Sequence, residues 1–315
     1  MTTVEMPQIE TAKPGQPWRA TPRERAFAIG NFIAAFLLAF VLVKFTGLNG
    51  KLGWVLGFFF SYIAISFVAE YVRSGKPAAQ DSLLTSVSRF AVFIAIVPIA
   101  SILGTVISKG WRGLHWGLFT QDMSQATVND PIANGGMLAA IVGTFIMVGL
   151  ALILTLPISI LTALYLTEIR GKFSGVIRFL VQAMSGVPSI VAGLFILSSI
   201  VYPVTQQYSG LMGALALSIL MIPTVARTAE EVLLLIPNDL REAGLALGAT
   251  QWRTVAMVVV PAVKSGLVTA IILGVARVIG ETAPLLLVSG GGDATNFNPV
   301  SGPMGSIPYY VWKSF

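Results

Sequence analysis

The sequence has no cysteine and, in 315 residues, only one histidine, His115. A disulfide framework, a thiolate metal site, a cysteine nucleophile and a histidine-built metal centre are all excluded. Charge is scarce too: Asp, Glu, Lys and Arg make up 11% of the chain, against about 25% in soluble domains. Hydrophobic residues make up 55%, mean hydropathy is +0.81, and several charge-free runs reach the roughly 20 helical residues that cross a bilayer. A water-soluble globule is therefore excluded, and an all-α integral membrane protein is expected. The chain has no G-x-x-x-x-G-K-[ST] stretch, so no P-loop holds ATP here and an energy source must come from a partner. No nucleophile and base stand together, and neither nucleic acid nor a redox cofactor has a site. His115 falls in a polar loop, as an interfacial or docking residue does.

Twenty Lys+Arg against fourteen Asp+Glu leave a formal charge of +6. The basic residues lie in short loops beside apolar runs, the positive-inside pattern of a multi-pass protein. Residues 1–25 hold four prolines with Arg19, Arg23 and Arg25, and are expected to be a disordered cytoplasmic tail without a signal-peptide pattern. Seven spans are then expected: about 26–43, 52–72, 90–108, 136–166, 177–202, 211–236 and 255–288. The N-terminus is cytoplasmic in this scheme, the membrane is a bacterial plasma (inner) membrane, and the chain end is outside. Loop 109–134, with Trp111, Trp116, Phe119, Asp122 and Asp130, falls outside, as does Gly290-Gly291-Gly292, read as a hinge or mobile loop.

The cytoplasmic segment 238–250 carries the most information. Asp239 is placed to cap a short helix, Glu242 three residues on completes a capping-box-like start, and Gly248 ends it. Its small residues Ala243, Gly244 and Ala246 allow close approach by another backbone, either as a ball for a partner's socket or as a plain connector. The order Glu242-Ala243-Gly244, three residues, Gly248, nine residues, Val258-x-Val260-Pro261 matches the E-A-A-x3-G-x9-I-x-L-P loop of ABC importer permeases, with Gly244 in place of the second alanine. Together with Gly186 to Phe195, Ile222 to Glu231 and Arg277 to Leu286, it resembles the PstA-type permeases of bacterial phosphate-specific ABC importers. The likeness runs over roughly residues 105–312. The ending Gly280-Glu281-Thr282-Ala283-Pro284-Leu285-Leu286 separates it from the sister permease of such importers.

The resemblance implies a type I importer permease domain over 73–315, preceded by an extra hairpin at 26–72. The family's last helix would begin beyond Phe315. It further implies ATPase coupling through Arg241, Glu242, Ala243, Gly244 and Gly248, and no cofactor on this chain, since ATP and Mg sit on a dimeric ABC ATPase. The other expected partners are a second permease subunit, an extracytoplasmic phosphate-binding protein, inorganic phosphate and the lipid bilayer. Within the spans, Arg277 and Glu281 are four residues apart, hence on one helical face. They read either as part of the phosphate path, with the Arg fork on phosphate oxygens, or as a packing salt bridge. Arg227 is a further candidate for the substrate path, or else pairs with Glu230 or Glu231 at spacings of three and four, and Gly186, Pro188 and Ser189 give the fifth span a kink beside the path. A permease for another oxyanion or small solute, and a non-transporting phosphate-sensing scaffold, remain open as alternatives.

Overall fold

The computed structural model of the chain describes residues 22–47, 50–126 and 134–314. The tail up to residue 21, Asp130 and Phe315, which entered the sequence reading, lie outside the described residues. Among the described residues the protein is helical, and the only extended pairing is an isolated bridge between Gly290 and Met304. Five helices are long and apolar enough to cross a membrane, or seven if each of two bent pairs is one span. The all-α multi-pass architecture is the one expected. The chain divides into two compact units, residues 1–112 and 113–315.

The first unit holds α1 (Pro22–Thr46), α2 (Lys51–Ser74) and α3 (Lys76–Gly110). Ala35, Ala39 and Val43, spaced by four, are the buried residues of α1, and α2 answers with Gly53, Gly57 and Ser61. A Cβ on Gly57 would stand 3.0 Å from Val43 Cγ2; small residues at this spacing let two helices touch where apolar lipid gives them no hydrophobic reason to associate. The structure departs from the sequence boundaries twice. α1 starts at Pro22, a residue suited to a first helical turn, so Arg23 and Arg25 belong to the helix and not to a tail. Segment 73–89 is not a loop: Gly75 (φ 83) alone interrupts the chain, and α3 begins at once with Pro77 in its first turn. Between Lys76 and Arg89 the polar residues break nothing, because none is a helix breaker, and Phe90 stacks on Phe59 at 3.5 Å between centroids. The third helix therefore groups with the hairpin.

The second unit opens with a 3₁₀ turn completed at Gly113 and α4 (Gly117–Thr120), followed by α5 (Leu138–Leu164), α6 (Ser174–Ser185), α7 (Ser189–Ile196) and α8 (Gly210–Leu234). α9 (Asn238–Ala246), α10 (Gln251–Thr254), α11 (Val260–Ala262), α12 (Lys264–Val278), α13 (Ala283–Val288) and α14 (Ile307–Lys313) complete it. Its centre is the crossing of α5 and α8. Along α5 the buried residues Gly143, Met147, Ala151, Thr155, Ser159 and Ala163 recur every fourth position, and α8 presents Ala214, Leu217, Met221, Val225 and Ala229. Ser159 donates to the Ile222 carbonyl at 3.1 Å and Ser218 to that of Ala151 at 3.4 Å, cross-linking two helices that each contain a proline, Pro157 and Pro223.

Around this pair, the helices expected to be continuous are broken. The fifth span bends by 103° between α6 and α7, well beyond a kink. Pro188 has no N–H to donate and steers Val187 away from helical angles. The last span bends by 73° between α11 and α12, and α12 stops at Val278, so 255–288 is not one helix. π-helical stretches at Tyr165–Ile169, Leu197–Thr205 and Val255–Val259 add further irregularity, a feature common at functional sites. The α7 and α13 fragments cross at Gly193, where a Cβ would lie 2.7 Å from Pro284 Cα and 3.2 Å from its carbonyl oxygen. Because that neighbour is backbone, Gly193→Ala is expected to lower stability by about 1–3 kcal/mol, read as an earlier thermal unfolding transition of the purified protein in detergent; an unshifted transition contradicts the close crossing.

Candidate functional site

At one end of the α5–α8 pair, α9 is held by a single arginine. Arg241 Nε donates to Glu168 Oε1 and Oε2 at 3.1 and 3.0 Å, and Nη2 to Oε1 at 2.8 Å. Its remaining donors reach the carbonyls of Ile236 (2.7 Å) and Leu233 (3.0 Å) and Asn238 Oδ1 (3.3 Å). Leu233 and Ile236 lie where α8 ends, where helix carbonyls lack intrahelical partners, and Glu168 lies in the π-helical turn that closes α5. One planar guanidinium thus ties α9 to the ends of both central helices. The side chains are only 15% and 7% exposed, so each charge depends on the other. Gln251 adds a bond from its Nε2 to the Glu168 carbonyl at 2.8 Å.

α9 itself starts one residue before the expected cap: Pro237 precedes Asn238, and no side chain caps it, so Asp239 and Glu242 do not form a capping box. Asp239 sits in the first turn instead, favourably placed for the helix dipole. Gly248 ends the segment as expected, with φ 80 and its N–H on the Leu245 carbonyl. Glu242 and Ala243 are exposed, while Gly244 is buried. A Cβ there would come 2.6 Å from Thr254 Cγ2, which explains why this chain has glycine where the motif has alanine.

The ionisable residues of the spans sort differently from their spacing. Arg227 pairs with Glu231 at 3.4 Å across one exposed helical turn. Glu230 faces the other way, is buried, and receives Arg178 of α6 at 2.6 Å, a contact that spacing could not reveal. Arg277 lies in the last turn of α12 and is exposed; Glu281 lies past the helix end, its N–H on the Val278 carbonyl. Because α12 stops between them, the shared helical face does not exist, and among the described residues neither side chain makes an ion pair. Pro188 and Ser189 stand at the start of α7, on the far side of the 103° break.

At the opposite end, segment 289–306 folds back over the starts of α5 and α8. Leu211 N–H donates to the Pro299 carbonyl at 2.7 Å, Met304 N–H to that of Ser289 at 2.9 Å, and Ile307 N–H to Thr144 Oγ1 at 2.9 Å. Gly290 and Gly291 take φ 74 and 55, so these glycines are an anchored turn and not a mobile hinge. Asp122 fastens the segment to loop 113–126: its Oδ2 accepts from Thr295 N and Oγ1 at 3.0 and 3.1 Å, and its Oδ1 from Ser124 Oγ at 2.6 Å. The hydrogen bond from the Ser124 hydroxyl, followed by those from the Thr295 and Ser124 amides, lowers its pKa to about 2. The His115 ring lies between two carbonyls, Nδ1 2.9 Å from that of Gly113 and Nε2 3.3 Å from that of Gly135, a structural position. No group of three or more metal-ligating side chains occurs among the described residues.

Broken spans and a clamped helix at one end are compatible with a membrane permease. Residues 155–302 match the family described as binding-protein-dependent transport system inner membrane component. The chain is 37% identical to the phosphate transport system permease protein PstA 1 of Mycobacterium tuberculosis, over 74% of its own length and 77% of that protein's. It is 37% and 38% identical to the proteins named phosphate transport system permease protein PstA of Haemophilus influenzae and Pasteurella multocida, covering 74% of this chain in each case and 81% and 82% of theirs. The chain belongs to the PstA permease family.

Removing one partner of the clamp strands the other buried charge, at a cost of about 3–5 kcal/mol. Arg241→Ala should accordingly open the 237–250 segment to proteases at concentrations that leave the parent protein intact; equal resistance would show that α9 holds without the clamp. The Asp122 fastening has a defined pH window. Its depressed pKa means that the stabilisation is complete above the ordinary carboxylate value, about 3.9, and fades as pH falls through about 2. Hydrogen exchange at the Thr295 amide is expected to stay protected at pH 5 and lose protection toward pH 2, and Asp122→Ala should remove it at every pH.

Proposed function

We propose that this chain is the permease subunit that forms half of the pathway of an ATP-driven inorganic phosphate importer in a bacterial plasma membrane, its N-terminus cytoplasmic. A second permease subunit would form the other wall, an extracytoplasmic binding protein would deliver phosphate to the 113–137 and 289–306 end, and a dimeric ABC ATPase carrying ATP and Mg would dock on α9. The chain itself holds no cofactor in this scheme. α9 offers exposed Glu242 and Ala243 to the ATPase, while Arg241 faces inward; Arg241 therefore transmits motion to α5 and α8 and does not touch the ATPase.

The observation that carries the reading is Arg277. It is exposed at the point where α12 breaks, with no carboxylate paired to it among the described residues. An arginine at membrane depth costs about 2.5–3.5 kcal/mol on insertion scales and faces water or a polar partner, and its fork fits phosphate oxygens. Glu281, released from the shared helical face, is near enough in sequence to receive a phosphate proton but does not hold the fork. The names borne by the family relatives agree with phosphate as the anion.

Hydrogen bonds to a charged group contribute about 1.5–3 kcal/mol, or roughly ten- to a hundredfold. Phosphate uptake by cells in which this chain replaces the native permease should fall by that factor for Arg277→Ala, with partner assembly intact, and Arg277→Lys should retain part of it. Unchanged uptake would reduce Arg277 to a packing residue. Assembly with no phosphate uptake even by the unmutated chain would favour another oxyanion or a sensing role.

A further inference from the structure

The first unit contains a groove that the transport reading does not use. α1 and α3 each pack on α2, and the groove is lined from all three helices: Trp54 and Phe58 of α2, Phe36 of α1, Phe90 and Phe93 of α3. Phe36 and Phe93 are 50% and 48% exposed, so the groove is open. Its lining holds a single charge, Arg89, with the hydroxyls of Tyr62 and Ser86.

The depth of that charge follows from α2. Between Lys51 and Glu70 this helix carries no charge, a run of about 27 Å that nearly matches the roughly 30 Å hydrocarbon core, with Phe60 and Ser61 at its middle. α2 and α3 diverge antiparallel from the Gly75 turn, and Phe59 stacks on Phe90 at 3.5 Å between centroids, so Arg89 is level with Ser61. Arg89 therefore stands near mid-bilayer, about 14 Å along the helix from either charged end of the α2 run. Snorkelling serves long cations near helix ends; from this depth the guanidinium reaches neither interface, and a lipid phosphate does not reach the guanidinium. Among the described residues Arg89 makes no ion pair. The acidic residues of its own unit do not serve it either: Glu70 accepts from Ser74, and Asp81 lies two turns back along α3.

We propose that this groove seats a transmembrane helix of another subunit, one that carries an Asp or Glu at mid-depth to pair with Arg89. Intramembrane cations face a bundle interior and pair there, and a helix laid against α1, α2 and α3 completes a bundle of four. Charge complementarity selects the carboxylate: the groove offers one cation and no anion, and a carboxylate accepts the guanidinium fork through two oxygens. Tyr62 and Ser86 supply further donors for the same group, and the aromatic lining packs on the apolar remainder of the helix. The assignment is independent of the transported substrate and of which end of the unit is cytoplasmic.

The test is photo-cross-linking of the full chain in the assembled complex in native membranes, with benzoylphenylalanine in place of Phe93 and the adducts mapped by mass spectrometry. The label is expected on a membrane span of another subunit, within about two helical turns of an Asp or Glu. Arg89→Gln should lower the adduct yield about tenfold and Arg89→Lys should keep most of it. Arg89→Glu combined with Lys at the partner's acidic position should restore it, a rescue that a merely structural arginine would not give and that decides the matter if the glutamine variant fails to assemble. Because the chain has no cysteine, a single nitroxide introduced through Phe60→Cys, at the level of Arg89 and 63% exposed in the parent, reports the depth and is expected near the bilayer centre. Adducts confined to lipid or to this chain's own sequence, or a labelled span without a carboxylate at that level, would overturn the assignment. So would equal yield from the parent and Arg89→Gln, no restoration by the charge swap, or a nitroxide at headgroup depth.

Discussion

Close contact between α5 and α8 through small residues is the constraint on which the second unit depends. In a bilayer, apolar side chains gain little from meeting each other in place of lipid, so helices associate by packing and hydrogen bonding. The four-residue stripe from Gly143 to Ala163 satisfies the first requirement, and the Ser159 and Ser218 bonds to carbonyls of the facing helix satisfy the second. With this pair fixed, α6, α7, α12 and α13 can be broken without loss of the core, because their fragments pack against α8 and not against a continuous copy of themselves.

The same pair links the two ends of the unit. Arg241 gathers the last carbonyls of α8 and the turn closing α5, whereas Thr144, in the second turn of α5, receives the amide of Ile307 and Leu211 at the start of α8 bonds to Pro299. α9 is thus bonded to the ends of the same two helices that anchor the 289–306 segment. Between these ends, the Arg178–Glu230 bridge attaches the half-helix α6 to α8, so the piece before the 103° break follows α8 while the piece after it follows Pro284. The break is where the two attachments meet.

Much of this was legible in the sequence because membrane burial writes a strong one-dimensional signal. Long apolar runs marked the candidate spans, five as single helices and two as bent pairs, Pro188 marked the break in the fifth, and Gly248 marked the end of α9. The capping box was misread because Pro237 already fixes the helix entry, and 73–89 was misread as a loop because its many polar residues, none of them a helix breaker, leave the helix intact after Gly75. The Arg277–Glu281 spacing misled for a related reason: i,i+4 implies one face only while the helix continues, and nothing local in Val278-Ile279-Gly280 except the glycine announces that it stops. Glu168 and Arg241 are 73 residues apart, as Arg178 and Glu230 are 52 apart; both partners could be seen as charges near span ends, but their pairing is a product of the fold.

Three arginines of the second unit are held by carboxylates. Arg241, Arg178 and Arg227 each have a carboxylate within 4 Å, in order of decreasing burial. Arg277 has none among the described residues, and neither has Arg253 in α10. In water that difference would mean little, since a solvated guanidinium needs no partner. In a chain whose surface is mostly hydrocarbon, an arginine within a span and without a carboxylate must find water, a phosphate or another subunit, and Arg277 stands at a helix break in the permease unit.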